Sequence, residues 1–240
     1  MNSHAVLLPD VRPASMTHRP IPAMERPVAA RGSAISSLIR KGTGEVLFAE
    51  GDAQDNVYEV VRGMLRLYKL MPDGRRQVIG FLSAGQLLMA SGPDGLCAST
   101  AEAVTEVTVY RYPRAAFERL IDEIPGFARR LLALTSQALQ IAHDQMLLLG
   151  RKVATEKVAS FILVLAERQQ GDRGADTLDV PMTRADIADY LGLTVETVSR
   201  TFTRLKRDGL IDLPNPSLVH ILDRERLEDI AAGDAGRYEV

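Results

Sequence analysis

Four side chains near the C-terminal end of the chain have types and spacing that suit the reading of DNA bases. They occupy positions i, i+1, i+4 and i+5, which project from one face of a helix near its N-terminus. These residues are Val195, Glu196, Ser199 and Arg200. An arginine can donate to O6 and N7 of guanine, a glutamate can accept from the N4 amine of cytosine, and a serine can do either. The pattern predicts a recognition helix that enters the major groove of double-stranded DNA.

The flanking sequence predicts the helix-turn-helix that would hold this face in place. Thr183 and Asp186 have the spacing of a capping box, which starts a first helix. Gly192 tolerates a positive φ and permits a sharp turn, and Thr194 can cap the second helix. The second helix carries an inward apolar stripe of Val198, Phe202 and Leu205.

Other polar residues around this motif are expected to contact DNA phosphates. They are Thr183, Arg184, Thr194, Thr197 and Arg204. The alternative is an ordinary helical hairpin, on which Glu196 and Arg200 would form a surface ion pair at i, i+4. The helix-turn-helix is favoured because cap, turn glycine and apolar stripe all agree with that one motif.

Residues 183–200 resemble the helix-turn-helix of the CRP/FNR superfamily of bacterial transcription regulators. Within them the string Val-Glu-Thr-Val-Ser-Arg, residues 195–200, is similar to the FNR and FixK branch in particular. This resemblance implies a TTGAT half-site, in which Arg200 contacts the central guanine, Glu196 the cytosine paired with it, and Ser199 a thymine.

The first residue of the predicted recognition helix supports the same site. The CRP branch has an arginine where this chain has Val195, and that difference favours a TTGAT-type sequence. The resemblance further implies a homodimer that works with RNA polymerase as an activator. Its targets would be genes for low-oxygen respiration or nitrogen fixation.

Length and composition allow two folded units and exclude several classes of protein. The 240 residues are 46% hydrophobic and carry a net charge of −2, which is typical of an ordinary globular chain. The single cysteine, Cys97, excludes an internal disulfide and fits a reducing cytoplasm. No apolar run is long enough to cross a bilayer and no secretory signal is visible, which predicts a cytoplasmic protein without a membrane partner.

The N-terminal segment distinguishes two groups within the resemblance. Residues 1–33 contain five of the twelve prolines and no sustained hydrophobic period, which predicts a disordered tail. In cluster-binding FNR proteins this region holds cysteines for an iron–sulfur centre, which needs four thiolates. Since this chain has one cysteine, it resembles the FixK-like regulators that lack the cluster.

Residues 34–125 contain short β-type runs separated by turn residues. They predict an antiparallel, jelly-roll-like β-roll, and the segment resembles the sensor roll of the superfamily. Binding of a cyclic nucleotide there needs an arginine for the phosphate. Gly85-Gln86 and Ser99-Thr100 supply none, because Ser99 stands in the arginine's place.

The histidines also argue against a metal-dependent or haem-dependent roll. His4, His18, His143 and His220 all lie outside residues 34–125. We therefore expect no cofactor, no bound metal and no enzymatic activity. One alternative is a regulator of the same branch gated by haem, nitric oxide, a cyclic nucleotide or another small ligand in the roll. The rival from another class, an enzyme or metal-binding barrel with an appended helical domain, lacks ligands.

Residues 126–150 form the longest helical pattern in the chain, and this helix is apolar on two sides. One stripe, spaced four and three residues apart, predicts a coiled-coil seam with the same helix of a second subunit. Its residues are Phe127, Leu131, Leu134, Ala138, Ile141, Gln145 and Leu148. The second stripe, Leu132, Leu139, Met146 and Leu149, is then expected to pack on the roll. The alternative is a helix buried within a monomer.

Residues 151–240 complete the chain as a winged helix-turn-helix domain. Gly150 is expected to be the hinge before it, because residues 143–152 are similar to the junction in FixK proteins. Two apolar runs around residues 214–217 predict the wing hairpin. The predicted fold class is α+β, with an N-terminal β-roll, a long dimerisation helix and the C-terminal winged helix-turn-helix.

Overall fold

The computed structural model describes residues 36–89, 95–169 and 176–234, so the predicted tail of residues 1–33 lies outside the described residues. The N-terminal strands are β1 (Ser37–Lys41), β2 (Val46–Phe48), β3 (Asn56–Arg62), β4 (Leu65–Leu70), β5 (Arg76–Leu82), β6 (Leu87–Leu88), β7 (Thr100–Ala103) and β8 (Val107–Pro113). They form two four-stranded antiparallel sheets, with strand orders β1-β8-β3-β6 and β2-β7-β4-β5. The two sheets together make the predicted β-roll.

Alternating apolar side chains fill the space between the two sheets. Val60, Leu65, Ala101, Ala103 and Val109 are fully buried. Phe48 stacks on Tyr58 with ring centroids 5.6 Å apart. The turn from β3 to β4 requires Gly63, whose φ is +83°, because a Cβ there would lie 2.1 Å from the carbonyl oxygen of Glu106.

Helices and one small sheet make up the rest of the chain. The helices are α1 (Arg114–Glu123), α2 (Phe127–Arg151), α3 (Ala154–Arg168), α4 (Arg184–Leu191), α5 (Val195–Arg207) and α6 (Arg224–Ala232). The strands are β9 (Thr177–Asp179), β10 (Ile211–Asn215) and β11 (Leu218–Ile221), in the order β10-β11-β9. Since β10 and β11 form the hairpin that follows α5, the predicted fold class of β-roll, helices and winged helix-turn-helix is confirmed.

The stripe of α2 that was predicted to be the dimer seam faces its own chain instead. Phe127 is buried against Phe117 of α1, with ring centroids 5.7 Å apart, and Leu131 and Leu134 pack on the same cluster. Leu148 is buried in the core that α3, α4 and α5 share. Of the remaining seam residues, Ala138 is exposed and Ile141 and Gln145 are half-buried. The seam prediction is therefore corrected for Phe127, Leu131, Leu134 and Leu148, which pack within their own chain.

The second stripe of α2, which was expected to pack on the roll, is the open one. The exposed fractions are 67% for Leu132, 57% for Leu139 and 62% for Met146. Both stripes repeat with heptad spacing, so their spacing alone cannot tell which one the roll covers. The covering is decided by α1 and β8, whose Phe117 and Tyr112 form an aromatic cluster with Phe127.

The bend between α2 and α3 lies two residues after the predicted hinge. Gly150 is in the last turn of α2, whereas Lys152 and Val153 are extended, with ψ of 143° and 168°. The amide of Val153 donates to the Glu156 side chain over 3.1 Å, which caps the start of α3 and sets the bend there. The chain therefore bends at this pair and not at Gly150, and the hinge stays a prediction.

No helix in the three described ranges is both long enough and apolar enough to cross a membrane.

Candidate nucleic-acid interface

The first helix of the motif begins with the predicted capping box. The amide of Asp186 donates to the Thr183 hydroxyl over 3.1 Å, and the amide of Thr183 donates to Oδ2 of Asp186 over 3.1 Å. Gly192 ends α4 with a φ of +62°. The amide of Thr197 then donates to the Thr194 hydroxyl over 3.2 Å, so the second helix is capped as predicted.

A continuous apolar core fixes α5 against α4 and α3. Ile187, Val198, Phe202 and Leu205 are at most 1% exposed and belong to one cluster with Val158 and Ile162 of α3. The buried stripe of α5 is therefore the predicted one. The same packing turns the opposite side of α5 toward solvent.

The four predicted base-reading residues form an exposed surface on the N-terminal half of α5, called the reading face below. Val195, Glu196, Ser199 and Arg200 are all exposed. Neither Glu196 nor Arg200 makes a side-chain hydrogen bond or salt bridge with another described residue, although they are four residues apart. The carboxylate and the guanidinium are consequently both available to an external ligand, and the surface ion pair of an ordinary helical hairpin is not formed.

Three of the five predicted phosphate contacts are exposed around the reading face. They are Thr183, Thr194 and Arg204, of which Arg204 lies 3.5 Å from Asp208. Thr197 is half-buried, with its hydroxyl 2.9 Å from that of Thr194. The exposure of these side chains is compatible with contacts to DNA phosphates, and the contacts by these four residues stay predictions.

Arg184 differs from the other four. Its guanidinium carbon lies 3.6 Å from the centroid of the Phe202 ring, which is a cation–π contact. Burial lowers the pKa of Arg184, and its Nη1 is buried without a hydrogen-bond partner. The side chain thus packs between α4 and α5, and a phosphate contact by Arg184 stays a prediction.

Sequence reasoning missed the polar contacts that join the helix-turn-helix to the roll. Arg66 of β4 and Arg76 of β5 both donate to Asp186 of α4, over 2.9 and 2.7 Å. Arg66 is 120 residues and Arg76 110 residues from Asp186 in sequence, so no local pattern could have indicated the contact. Asp186 was assigned only a capping role from its spacing.

The interior of the roll is occupied by side chains near the segment where a cyclic nucleotide would need its phosphate site. Gln86 is buried, and its Oε1 accepts from the amide of Ser83 over 2.8 Å. Ser99, in the place of the arginine, is also buried. Among residues 36–89, 95–169 and 176–234, no group of three or more His, Cys, Asp or Glu side chains is placed to hold a metal ion.

Comparisons with known proteins agree with this geometry. Residues 156–230 match the family model of the Crp-like helix-turn-helix domain, and residues 39–123 match that of the cyclic nucleotide-binding domain. The nitrogen fixation regulation protein FixK of Bradyrhizobium diazoefficiens is 47% identical over 191 residues, which are 79% of this chain and 80% of that protein. The chain belongs to the FixK-type branch of the CRP/FNR family.

Further relatives extend the match within this family. The transcriptional activatory protein AadR of Rhodopseudomonas palustris is 44% identical over 199 residues, which are 82% of each protein. The solved structure of FixK2 from Bradyrhizobium japonicum superposes with a TM-score of 0.75 at 35% identity, covering 82% of this chain and 97% of that one. This member of the family is a DNA-binding transcription regulator, and its relatives are regulators and not enzymes.

Proposed function

We propose that the protein is a homodimeric transcription activator that binds a palindrome of two TTGAT-type half-sites. The observation that carries this proposal is the reading face, where an acid, a hydroxyl and a guanidinium are exposed together and unpaired on one helix. Arg200 would fork onto the guanine, Glu196 would accept from the cytosine opposite, and Ser199 would meet a thymine. Val195 would pack against the edge of the same site.

The dimer would form through the open stripe of α2. Its exposed residues repeat with alternating spacings of three and four: Leu132, Thr135, Leu139, Ala142, Met146 and Leu149. Leu132, Leu139 and Met146 are seven residues apart, as in a two-stranded coiled coil. A two-fold axis along this seam would present two recognition helices to successive major grooves, about one helical turn apart.

The target genes are proposed from the relatives. Three of the similar proteins are named nitrogen fixation regulation protein FixK, and others are named transcriptional activators. We therefore assign the protein to the control of nitrogen-fixation or low-oxygen respiration genes. As an activator it would contact RNA polymerase. It would act in the cytoplasm, which contains the bacterial DNA.

A binding assay in air tests the proposal. Fluorescence anisotropy with a TTGAT palindrome should show tight binding by purified protein without any added ligand. The matched control is the same duplex with the guanine of each half-site replaced, which should bind more weakly by about 1–3 kcal/mol per site. A requirement for added cyclic AMP or haem would contradict ligand-free binding and favour the gated alternative.

A further inference from the structure

A cluster of five charged side chains joins the roll to the first helix of the helix-turn-helix. We call it the interdomain arginine cluster; it consists of Arg66, Arg76, Glu102, Asp186 and Asp189. Arg66 of β4 binds Asp186 over 2.9 Å and also pairs with Glu102 of β7. Arg76 of β5 binds Asp186 over 2.7 Å and Asp189 over 2.8 Å. Arginines from two strands of the roll thereby form ion pairs with one helix of the DNA-binding domain.

Asp186 is the centre of this cluster because both of its carboxylate oxygens are used. Oδ2 accepts from the amide and the hydroxyl of Thr183, and Oδ1 accepts from both arginines. The side chain is only 1% exposed. A carboxylate removed from water in this way needs its cations, so the docked position of α4 is strongly specified.

The other end of α4 is also tied down. The side-chain amide of Gln77 donates to the carbonyl of Asp189 over 2.6 Å, and that of Gln145 donates to the carbonyl of Tyr190 over 3.0 Å. These carbonyls belong to the last turn of α4, where the helix itself offers no N–H group to donate to them. The ring of Tyr190 packs on Phe81 of the roll with centroids 5.3 Å apart.

The pKa of Arg76 is that of a cation stabilised by neighbouring carboxylates. Burial would lower its pKa, but the hydrogen bond to Asp189 and the charges of Asp186 and Asp189 outweigh burial, and the pKa is raised. Arg76 also lies over the ring of Tyr68, with its guanidinium carbon 5.5 Å from the centroid. The side chain is therefore held from several sides.

We propose that Arg66 and Arg76 are positioning residues for DNA binding, which orient the recognition helix through α4 without touching DNA. The proposal rests on the proposed function, because it needs the reading face to contact bases. The reading face is exposed while the cluster is closed, so the docked arrangement leaves it open to DNA. In a dimer two such helices must fit two grooves at once, and freedom of either domain would weaken binding.

The experiment compares Arg76→Gln with the neighbouring Arg75→Gln. Arg75 is also an arginine of the β4–β5 hairpin, but its side chain is 79% exposed and, among the described residues, pairs only with Asp73 of the same hairpin. Anisotropy with the TTGAT palindrome should show about 10- to 100-fold weaker binding for Arg76→Gln. Arg75→Gln should stay within about twofold of the wild-type chain.

A second variant guards against simple misfolding. Asp189 is 29% exposed and its carboxylate pairs with Arg76, so Asp189→Asn removes one contact of the cluster with little disturbance of the core. It should lower the affinity in the same direction while the melting temperature and the circular dichroism spectrum stay near those of the wild-type chain. The proposal would be overturned if both single variants, Asp189→Asn and Arg76→Gln, bound DNA with wild-type affinity.

The salt dependence of binding separates positioning from direct contact. If Arg76 only orients α4, the slope of log K against log salt concentration should be the same for Arg76→Gln and the wild-type chain. A slope smaller by about one would identify a phosphate contact instead, and tighter binding by the variant would identify a restraint on the DNA-binding domain. Either result overturns the proposal.

A measurement without DNA distinguishes failure of this inference from failure of the proposed function. Spin labels at positions 129 on α2 and 207 on α5, both exposed, report the distance between the two parts of the chain, with labelled chains diluted in unlabelled ones. The distance distribution should be narrow for the wild-type chain and broad for Arg76→Gln. If the wild-type chain fails to bind TTGAT, the proposed function fails; if both distributions are equally narrow, the positioning role fails.

Discussion

The interdomain arginine cluster holds α4 and the reading face lies on the next helix, α5, but the two use charge in opposite ways. In the cluster, Asp186 and Asp189 bind arginines at 2.7 to 2.9 Å, and Asp186 is almost fully buried. On the reading face, Glu196 and Arg200 are exposed and have no partner among the described residues. Paired and buried charges fix a position, whereas exposed and unpaired charges can bind an external ligand without first breaking a contact.

The largest expected effect would come from removal of the shared carboxylate. Asp186→Ala should lower the free energy of unfolding by about 3–5 kcal/mol, because it removes the side-chain half of the α4 capping box and leaves two half-buried arginines without their common partner. Urea denaturation followed by circular dichroism measures this. A loss below about 1 kcal/mol would show that the cluster does not differ energetically from a surface ion pair.

The open stripe of α2 provides the next test of the contrast between covered and exposed surfaces. It is exposed in the single chain but is expected to be covered by a second subunit. Leu139→Asp should weaken the dimer by about 3 kcal/mol, because two leucines lose their burial. Sedimentation velocity should then show monomers that bind the palindrome weakly. Ala133→Asp, at an exposed position that follows Leu132 in sequence but lies on a different face of α2, is the control and should remain dimeric. A dimeric Leu139→Asp would refute this seam.

Truncation on the reading face should affect recognition but not folding. Arg200→Ala should lose about 1–3 kcal/mol of discrimination at the guanine of each half-site. Its free energy of unfolding should change by less than about 0.5 kcal/mol, because the side chain is exposed and has no partner in the described part of the chain. Arg207→Ala, an exposed arginine near the other end of α5, should instead weaken all sequences alike. Equal loss on specific and unrelated DNA for Arg200→Ala would indicate a phosphate contact.

The smallest expected effect concerns the buried thiol. Burial, followed by the nearby carboxylates of Asp52 and Asp55, raises the pKa of Cys97, so the thiol is protonated at neutral pH. Its reaction with a disulfide reagent should be slow in the native protein at pH 7 and fast in urea. DNA binding should not change after mild oxidation. A rapid native reaction that lowers DNA affinity would make Cys97 a redox switch.

The sequence predicted the features that depend on neighbouring residues. The capping box of Thr183 and Asp186, the turn at Gly192 and the buried stripe of α5 follow from spacing over a few residues, and all three are present. The reading face followed because its residues must lie opposite that stripe.

Features that depend on distant partners were not predictable in the same way. The two stripes of α2 have the same period, and only the aromatic cluster at Phe117 and Tyr112 determines which one is covered. The bend at Lys152 depends on Glu156 and not on the more permissive Gly150. The cluster around Asp186 joins strands and a helix that are more than 100 residues apart, so no periodicity could indicate it.

The double use of Asp186 limits how this protein can be recombined with its relatives. An asparagine supplies one acceptor oxygen where two are needed, and a glutamate is longer by one methylene and would displace the helix. Consider a chimera that joins this C-terminal domain to a foreign roll without counterparts of Arg66 and Arg76. In it the carboxylate of Asp186 would be buried without a neighbouring cation. Domain exchange should therefore succeed only when the two arginines and the aspartate are transplanted as a unit.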